Sequence, residues 1–128
     1  MAQPPAPTTP IRSTVAHVAF AVVAMGGWAA FANRDHGAAA MATAFVAQGA
    51  LSGLITLLIK RWLEWAHARL TGPGARLVPP VASCLTVAGL LTGVHMAVGT
   101  PEVLATIAVP WTVSTVYAFA YALSLERK

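Results

Sequence analysis

The sequence predicts an all-α integral membrane protein with four transmembrane helices in two hairpins, and its composition carries the first part of this prediction. Hydrophobic residues make up 57% of the 128-residue chain and charged residues only 9%. Soluble domains carry about 25% charged residues, so a soluble fold of this size could not cover its own surface. The apolar pattern is continuous and rich in Ala, Leu and Val, which favours spanning helices over the alternating polarity of a β-barrel.

The positions of the charges predict the number of helices. They leave four uncharged intervals, and each interval can supply the roughly 20 apolar residues that cross a hydrocarbon core. We expect transmembrane helices at approximately 14–32, 37–59, 80–98 and 102–124. Together with their connections, these helices form one domain over residues 14–125.

The two ends of the chain lie outside this domain. Residues 1–13 are rich in Pro and Thr, which predicts a flexible N-terminal tail, and residues 126–128 form a charged C-terminal end. An alternative for residues 1–32 is a cleaved signal peptide, because Ala30-Phe31-Ala32 resembles a small-x-small cleavage site.

Local signals predict the ends of the helices. Asn33 or Asp35, in the first connection, can cap the second helix. Before the fourth helix, Thr100 is a candidate N-cap and Pro101 suits the first helical position. Pro110 lies inside the fourth helix, where it removes a backbone hydrogen bond and predicts a kink near the middle of the membrane.

The second helix is expected to continue beyond the membrane. Its apolar run ends at Ile59, and the chain then changes to a mixture of Trp with charged residues before Gly72. We expect an amphipathic cytoplasmic segment in the headgroup layer, within a linker that covers residues 60–79. The residues assigned to topology and headgroup contact are Lys60, Arg61, Trp62, Trp65, Arg69 and Arg76.

Lys and Arg are distributed unevenly between the two sides of the predicted membrane domain. One side has seven of the eight cations, and the other has only Arg34. Because basic residues accumulate in cytoplasmic loops, we expect both termini to be cytoplasmic, in a multi-pass protein of the bacterial inner-membrane type. The asymmetry argues against an antiparallel dual-topology dimer. The net charge of +4 is then a topology signal, and we expect no nucleic-acid partner.

Two Gly-x-x-x-Gly patterns occur in the apolar runs, Gly49 with Gly53 and Gly89 with Gly93. Small residues let helices approach closely in lipid. We therefore expect helices two and three to pack through these glycines, either within one chain or between chains. The alternative is that the patterns arise by chance in a membrane sequence rich in Gly and Ala.

Polar residues inside the spans form the candidate site. Gln48, Gly49, Ser52, Gly53 and Thr56 fall within a sector of roughly 140° on the second helix. An amide near the middle of the membrane needs hydrogen-bonding partners, so Gln48 either joins two helices or forms one wall of a substrate path. His95, in the outer third of the third helix, either bonds a neighbouring hydroxyl or carbonyl group or takes part in proton or substrate handling.

The fourth helix has a polar face in its cytoplasmic half, which together with the Pro110 kink is a candidate ligand wall. The residues assigned to a substrate path are Gln48, Ser52, Thr56, His95, Thr106, Pro110, Tyr117 and Tyr121. His17, near the cytoplasmic side, lies too far from His95 for a shared metal site, and we expect no metal. Cys84 is the single cysteine, so an intrachain disulfide is impossible.

The chemistry-bearing residues do not indicate an enzyme. The acidic residues all lie at predicted membrane edges, and the sequence has no phosphate-binding loop and no Cys–His constellation. We predict a non-catalytic protein without a cofactor, whose partners are the lipid bilayer and either copies of itself or a larger membrane complex. The leading hypothesis is a small transporter, flippase-type or channel-like protein that acts as an oligomer or with a partner. The alternative is an accessory or assembly subunit of a larger complex.

Known families of similar size and span number carry motifs that this chain lacks. Small multidrug exporters have a membrane-embedded Glu in the first helix, which is absent here. Polyprenol-sugar flippases are similar in size and span number, but their Asn-Phe and Asn-Arg segments are missing apart from an isolated Asn33-Arg34. The likeness to the flippases is therefore one of architecture alone.

Overall fold

A computed structural model describes residues 2–3 and 10–126 of the chain, and the first helix of this part begins at Pro10. Four α-helices follow one another: α1 (Pro10–Ala32), α2 (Ala38–Arg69), α3 (Val78–Ala97) and α4 (Val103–Glu126). A single turn of 3-10 helix, Arg34–His36, connects α1 to α2. The remaining positions of the predicted tail and C-terminal end, 1, 4–9 and 127–128, lie outside the described residues.

All four helices are long and apolar enough to cross a membrane, which confirms the predicted number of spans. The surface of the fold is apolar: Phe20, Leu85 and Leu104 are 71%, 70% and 82% exposed. By contrast, the polar side chains of Gln48 and His95 are completely buried. An apolar exterior around polar interior groups is expected where lipid is the outer solvent, so the fold is that of a multi-pass membrane protein.

The helix bounds differ from the prediction mainly at N-termini. α1 begins at Pro10, so residues 10–13 are helical although we assigned them to the tail. α3 begins at Val78, with Pro79 and Pro80 in its first turn. Proline fits both places because the first helical positions have no intrahelical acceptor for the missing N–H. α2 continues without interruption from the apolar run through Lys60 to Arg69, as predicted.

The four helices form a bundle in which α2 and α4 each contact the other three, while α1 and α3 lie on opposite sides. The main apolar core is a cluster on α2, α3 and α4 that consists of Leu51, Ile55, Ile59, Leu63, Val87, Leu91, Ala118 and Leu125. These side chains hold three helices together. The most extensive helix pair is nevertheless α1 with α2, although α1 contributes no side chain to this core.

Close backbone approach at glycines holds α1 on α2. A Cβ atom at Gly49 would lie 3.2 Å from the Val22 carbonyl oxygen, and one at Gly53 would lie 3.1 Å from Val22 Cγ2. On the α1 side, a Cβ atom at Gly26 would lie 3.0 Å from the Phe45 carbonyl oxygen. Glycine thus permits a helix separation that any side chain would widen.

The predicted pairing of the two glycine patterns within one chain is therefore wrong. Gly49 and Gly53 do pack against another helix, but that helix is α1 and not α3. Gly89 and Gly93 are exposed, and a Cβ atom added to either would meet no described atom within 4 Å. Spacing places the members of each pattern on one face, but it does not determine which helix covers that face.

Asn33 joins the end of α1 to the start of α4. Its Nδ2 donates to the Ala29 carbonyl oxygen and to Thr106 Oγ1, both at 2.8 Å. Its Oδ1 accepts a bond from the backbone N–H of Glu102 at 3.0 Å, and the side chain is completely buried. The predicted role of Asn33 as a cap of α2 is wrong, because its amide supports α4 instead.

Two other predicted caps also differ from the structure. α2 begins after Gly37, whose φ of 94° is readily adopted only by glycine, and not after Asp35. α4 begins at Val103 rather than directly after Thr100. The Thr100 side chain is buried, and its hydroxyl bonds the His95 imidazole rather than the first turn of α4.

Polar contacts at the opposite end of the bundle confirm the alternating direction of the helices. Lys60 Nζ lies 3.5 Å from Thr14 Oγ1, which joins the end of α2 to the start of α1. Tyr121 donates to Glu64 Oε1 at 2.6 Å, and so joins α4 to α2. We call this side of the molecule the Lys60 end and the opposite side the Asn33 end.

Candidate functional site

A cavity of about 260 Å³ lies between the four helices. Its α2 and α3 walls, including Ile55 and Leu91, are buried, whereas Phe20 on α1 and Val113 on α4 are exposed. The mouth of the cavity therefore lies between α1 and α4 and opens to the side, toward the surrounding lipid. We call this space the lateral cavity.

The predicted polar face of α2 forms one wall of the lateral cavity. Gln48, Ser52 and Thr56 recur at intervals of four residues, which places them on one side of a helix. Gln48 Nε2 donates to Ser52 Oγ at 2.7 Å, and Thr56 Oγ1 donates to the Ser52 carbonyl oxygen at 2.7 Å. All three residues line the cavity.

His95 lies behind this wall and connects it to the Asn33 end. Its Nε2 is 2.7 Å from Gln48 Oε1, and its Nδ1 is 2.7 Å from Thr100 Oγ1. An amide oxygen only accepts hydrogen bonds, so Nε2 is the donor to Gln48. In the neutral imidazole, Nδ1 then accepts from the Thr100 hydroxyl. Thr100, His95, Gln48 and Ser52 thus form a continuous hydrogen-bonded series, the polar chain.

The polar chain contains the interhelical hydrogen bond that was one of the two interpretations of Gln48, and the bond to a neighbouring hydroxyl group that was one of the two interpretations of His95. Gln48 belongs to α2 and His95 to α3, and both side chains are fully buried. A buried polar group without a partner is strongly unfavourable in an apolar medium. The pair therefore stabilises the contact between α2 and α3, where the glycine patterns do not.

We expect a double-mutant cycle on Gln48→Leu and His95→Leu to show coupling of about 0.6 to 1.7 kcal/mol, the range of interhelical polar contacts in membranes. Each single substitution leaves the other residue's polar group buried without its partner, whereas the double substitution removes both groups. The free energy of unfolding of the four proteins in mild detergent, titrated with sodium dodecyl sulfate, measures this coupling.

The exposed Thr86 of α3 supplies the control for this cycle. Thr86→Leu also replaces a polar side chain by leucine, but Thr86 is exposed and lies nine residues before His95. Its effect should add to that of His95→Leu. Simple additivity of Gln48→Leu with His95→Leu would contradict the structural role of the bond between Gln48 and His95.

The structure brings together five of the eight residues assigned to a substrate path. Gln48, Ser52, Thr56, Pro110 and Tyr117 all line the lateral cavity. Passage of a substrate along them stays a prediction.

The other three path residues lie away from the cavity wall. His95 is separated from the cavity by Gln48, Thr106 bonds Asn33, and Tyr121 bonds Glu64. Their polar groups serve contacts between helices. A polar residue inside an apolar run is equally compatible with a contact between helices and with a binding site, so the sequence did not separate the two.

α1 contributes cavity residues that the sequence analysis missed. His17, Ala21 and Met25 line the cavity at intervals of four residues, with Phe20 at its mouth. The regular spacing was a usable signal. It was overlooked because these residues, apart from His17, have no polar group to mark the face.

The aromatic and basic residues beyond the apolar run of α2 form a compact group. Trp62 and Trp65 stack with ring centroids 5.4 Å apart, and the Arg69 guanidinium lies 5.3 Å from the Trp65 ring centroid. Trp62 Nε1 also donates to the Pro79 carbonyl oxygen at 3.0 Å, which ties the segment to α3. Contact of Lys60, Arg61, Trp62, Trp65, Arg69 and Arg76 with headgroups stays a prediction.

Comparison with known proteins adds no assignment to this geometry. Neither the protein-family models, nor the curated proteins, nor the solved structures give a significant match to the chain. Within residues 2–3 and 10–126, no three metal-binding side chains come close enough together to hold an ion. The class defined by the fold is therefore a four-helix multi-pass membrane protein with a cavity that opens to lipid.

Proposed function

We propose that the protein is a small transporter of the flippase type, which admits molecules from the bilayer through the mouth between α1 and α4. The observation that carries this proposal is the lateral cavity itself, with its wall of Gln48, Ser52 and Thr56. A bundle that served only as an anchor would need neither a mouth toward lipid nor polar groups on the cavity wall. The proposal includes action as an oligomer or with a partner, because four helices enclose little volume.

The depth of the cavity supports a transport role. Gln48 lies ten residues after Ala38, which is about 15 Å along an α-helix and half of a hydrocarbon core of about 30 Å. The cavity extends from this level toward Ile59, at the Lys60 end. Transporter sites commonly lie near the midplane and open to one side at a time.

The Asn33 end of the cavity is closed by contacts between α1 and α4. Trp28 Nε1 donates to the Ala105 carbonyl oxygen at 2.9 Å, and Asn33 bonds both Thr106 and Glu102. The geometry corresponds to a form that is closed at the Asn33 end and open to the side, between α1 and α4. In the proposed cycle, these few contacts break when the cavity opens at the Asn33 end.

We place the Lys60 end in the cytoplasm of a bacterial cell, with both termini on that side of the inner membrane. The support is the excess of Lys and Arg at this end, including Lys60, Arg61 and Arg76, against Arg34 at the other. A C-terminal reporter tests the orientation. Fluorescence of a fused green fluorescent protein is expected, whereas activity of a fused periplasmic alkaline phosphatase would contradict it.

A lipid-movement assay tests the transporter proposal. The purified protein is reconstituted into phosphatidylcholine vesicles that contain a trace of fluorescent NBD-labelled phospholipid, and dithionite is added outside. We expect bleaching to exceed the outer-leaflet half reached in protein-free vesicles, because labelled lipid exchanges between leaflets. Bleaching that stops at the same half in both samples would overturn a general flippase activity.

The alternative function is that of an accessory or assembly subunit, and the exposed glycines of α3 favour it. Gly89 and Gly93 offer a close-approach surface that no described element of this chain uses, as expected for a helix that packs on a partner protein. Mass analysis after purification in mild detergent discriminates the two. Recovery as a defined homo-oligomer supports the transporter, whereas recovery only together with a larger partner contradicts it and supports the accessory subunit.

A further inference from the structure

We propose that the lateral cavity binds the uncharged, apolar part of a membrane amphiphile that carries a carbonyl oxygen, and that this oxygen accepts a hydrogen bond from Ser52. The inference rests on the transporter proposed above and names the class of its substrate. It is carried by three properties of the cavity: its charge, its size and its unused hydrogen-bond donor.

The charge of the cavity wall excludes an ionic group as the bound part. Among the described residues that line the cavity, none is Lys, Arg, Asp or Glu, and the one basic side chain is that of His17, which is exposed. A phosphate, carboxylate or ammonium group beside Ser52, at the deep end, would have no residue of opposite charge next to it. Burial of an unpaired charge is strongly unfavourable, so the bound part of the ligand is neutral.

The size and lining of the cavity fit a hydrocarbon chain or a small ring. The volume of about 260 Å³ exceeds the roughly 150 Å³ of an apolar protein cavity that binds benzene. Met25, Ile55, Leu91 and Val113 supply apolar walls from all four helices. Because the mouth faces lipid, such a chain enters directly from the bilayer.

An unused donor at the deep end defines the polar part of the ligand. Within residues 10–126, the Ser52 hydroxyl accepts one hydrogen bond, from Gln48, and donates none. The Gln48 amide is completely buried and bonds Ser52 and His95, so it is not available to a ligand. Ser52 lines the cavity and remains 6% exposed, so its hydroxyl is free to donate. The complementary ligand group is an acceptor oxygen without a charge, such as an ester or ketone carbonyl.

A competition experiment tests this assignment on the full-length protein in mild detergent. The probe is a photoactivatable diazirine derivative of a long-chain fatty acid methyl ester, and labelled peptides are mapped by mass spectrometry. The competitors are methyl dodecanoate, dodecane and dodecanoate anion at pH 8, which share one chain length. We expect labels on α1 and α4 near the mouth, and displacement in the order ester, alkane, anion.

Two variants relate the label to the cavity. Ala21→Trp fills the space and is expected to abolish labelling, whereas Ala19→Trp places the same side chain at an exposed position of α1 and should leave labelling unchanged. Ser52→Ala removes one donor with little change of shape. It is expected to weaken displacement by the ester about two- to tenfold, as for one neutral hydrogen bond, and to leave displacement by dodecane unchanged.

Several results would overturn the inference. Equal displacement by the anion and the ester contradicts a neutral site, and equal displacement by dodecane and the ester contradicts the role of the carbonyl. Unchanged labelling of a folded Ala21→Trp protein places the probe elsewhere. If the Ala21→Trp variant does not fold, the competition series on the wild-type protein still tests whether the site prefers a neutral carbonyl compound.

The outcome is separable from that of the lipid-movement assay. Labelling of the cavity without lipid exchange retains the binding site and removes the transporter. Lipid exchange without labelling of the cavity retains the transporter and removes the assigned ligand class.

Discussion

Gly49→Leu is expected to lower the free energy of unfolding by about 3 kcal/mol, at the upper end of the usual effect of overpacking. The Cβ atom alone would lie 3.2 Å from the Val22 carbonyl oxygen, and this atom belongs to the backbone of α1 and cannot rotate away. A leucine at this position therefore forces α1 and α2 apart. Because α1 adds no side chain to the main apolar core, its position depends on this glycine contact together with the hydrogen bonds of Trp28 and Asn33.

Gly93→Leu on α3 is the matched control. It introduces the same side chain into the same kind of pattern, but a Cβ atom there meets no described atom within 4 Å. The free energy of unfolding should change by less than about 0.5 kcal/mol, as at surface sites. Denaturation of both variants in one detergent, together with their elution volumes, provides the comparison. Equal destabilisation by the two substitutions would contradict the observed packing of α1 on α2.

The Gly93→Leu control also informs the alternative function. If α3 packs on a second protein through Gly89 and Gly93, a leucine should leave the isolated chain folded and abolish the larger assembly. If the protein acts without such a partner, the substitution should leave its oligomeric state unchanged. The two functions therefore predict different results from one variant.

Asn33→Leu is expected to lower the free energy of unfolding by about 2 to 4 kcal/mol. The substitution removes three hydrogen bonds and leaves Thr106 Oγ1 and the Glu102 backbone N–H without their partner. A buried group that loses its partner contributes a penalty of about 1 to 3 kcal/mol. We expect α4 to loosen from α1 at the Asn33 end, which widens the closed side of the cavity.

Two further variants define this effect. Thr106→Val removes only the bond to the Asn33 amide and should produce a smaller loss. Asp35→Ala changes an exposed residue of the same turn and should alter stability by less than about 0.5 kcal/mol. Detergent denaturation of all three proteins gives the ranking. An Asn33→Leu protein as stable as Asp35→Ala would show that these contacts do not hold the helices.

The wall of the candidate site was predicted in part, because its polar members are conspicuous in apolar sequence. Gln48, Ser52 and Thr56 were assigned to one interior face of α2, and the structure places them together on the cavity wall. Ala21 and Met25 were not assigned, since an apolar side chain in a spanning helix is equally compatible with lipid and with a cavity. Only the positions of neighbouring helices separate these environments.

The sequence by itself determined the class of this protein, its four spans and the continuation of α2 beyond the apolar run. These properties depend on hydropathy and helix length along short stretches of chain, so they can be calculated without knowledge of any partner. Only the tertiary structure decided that Gly49 packs on α1 rather than α3, that Asn33 supports α4, and that His95 bonds Gln48. Each of these contacts joins residues far apart in the chain. Their pairing depends on how whole helices are positioned around the bundle, which local spacing does not encode.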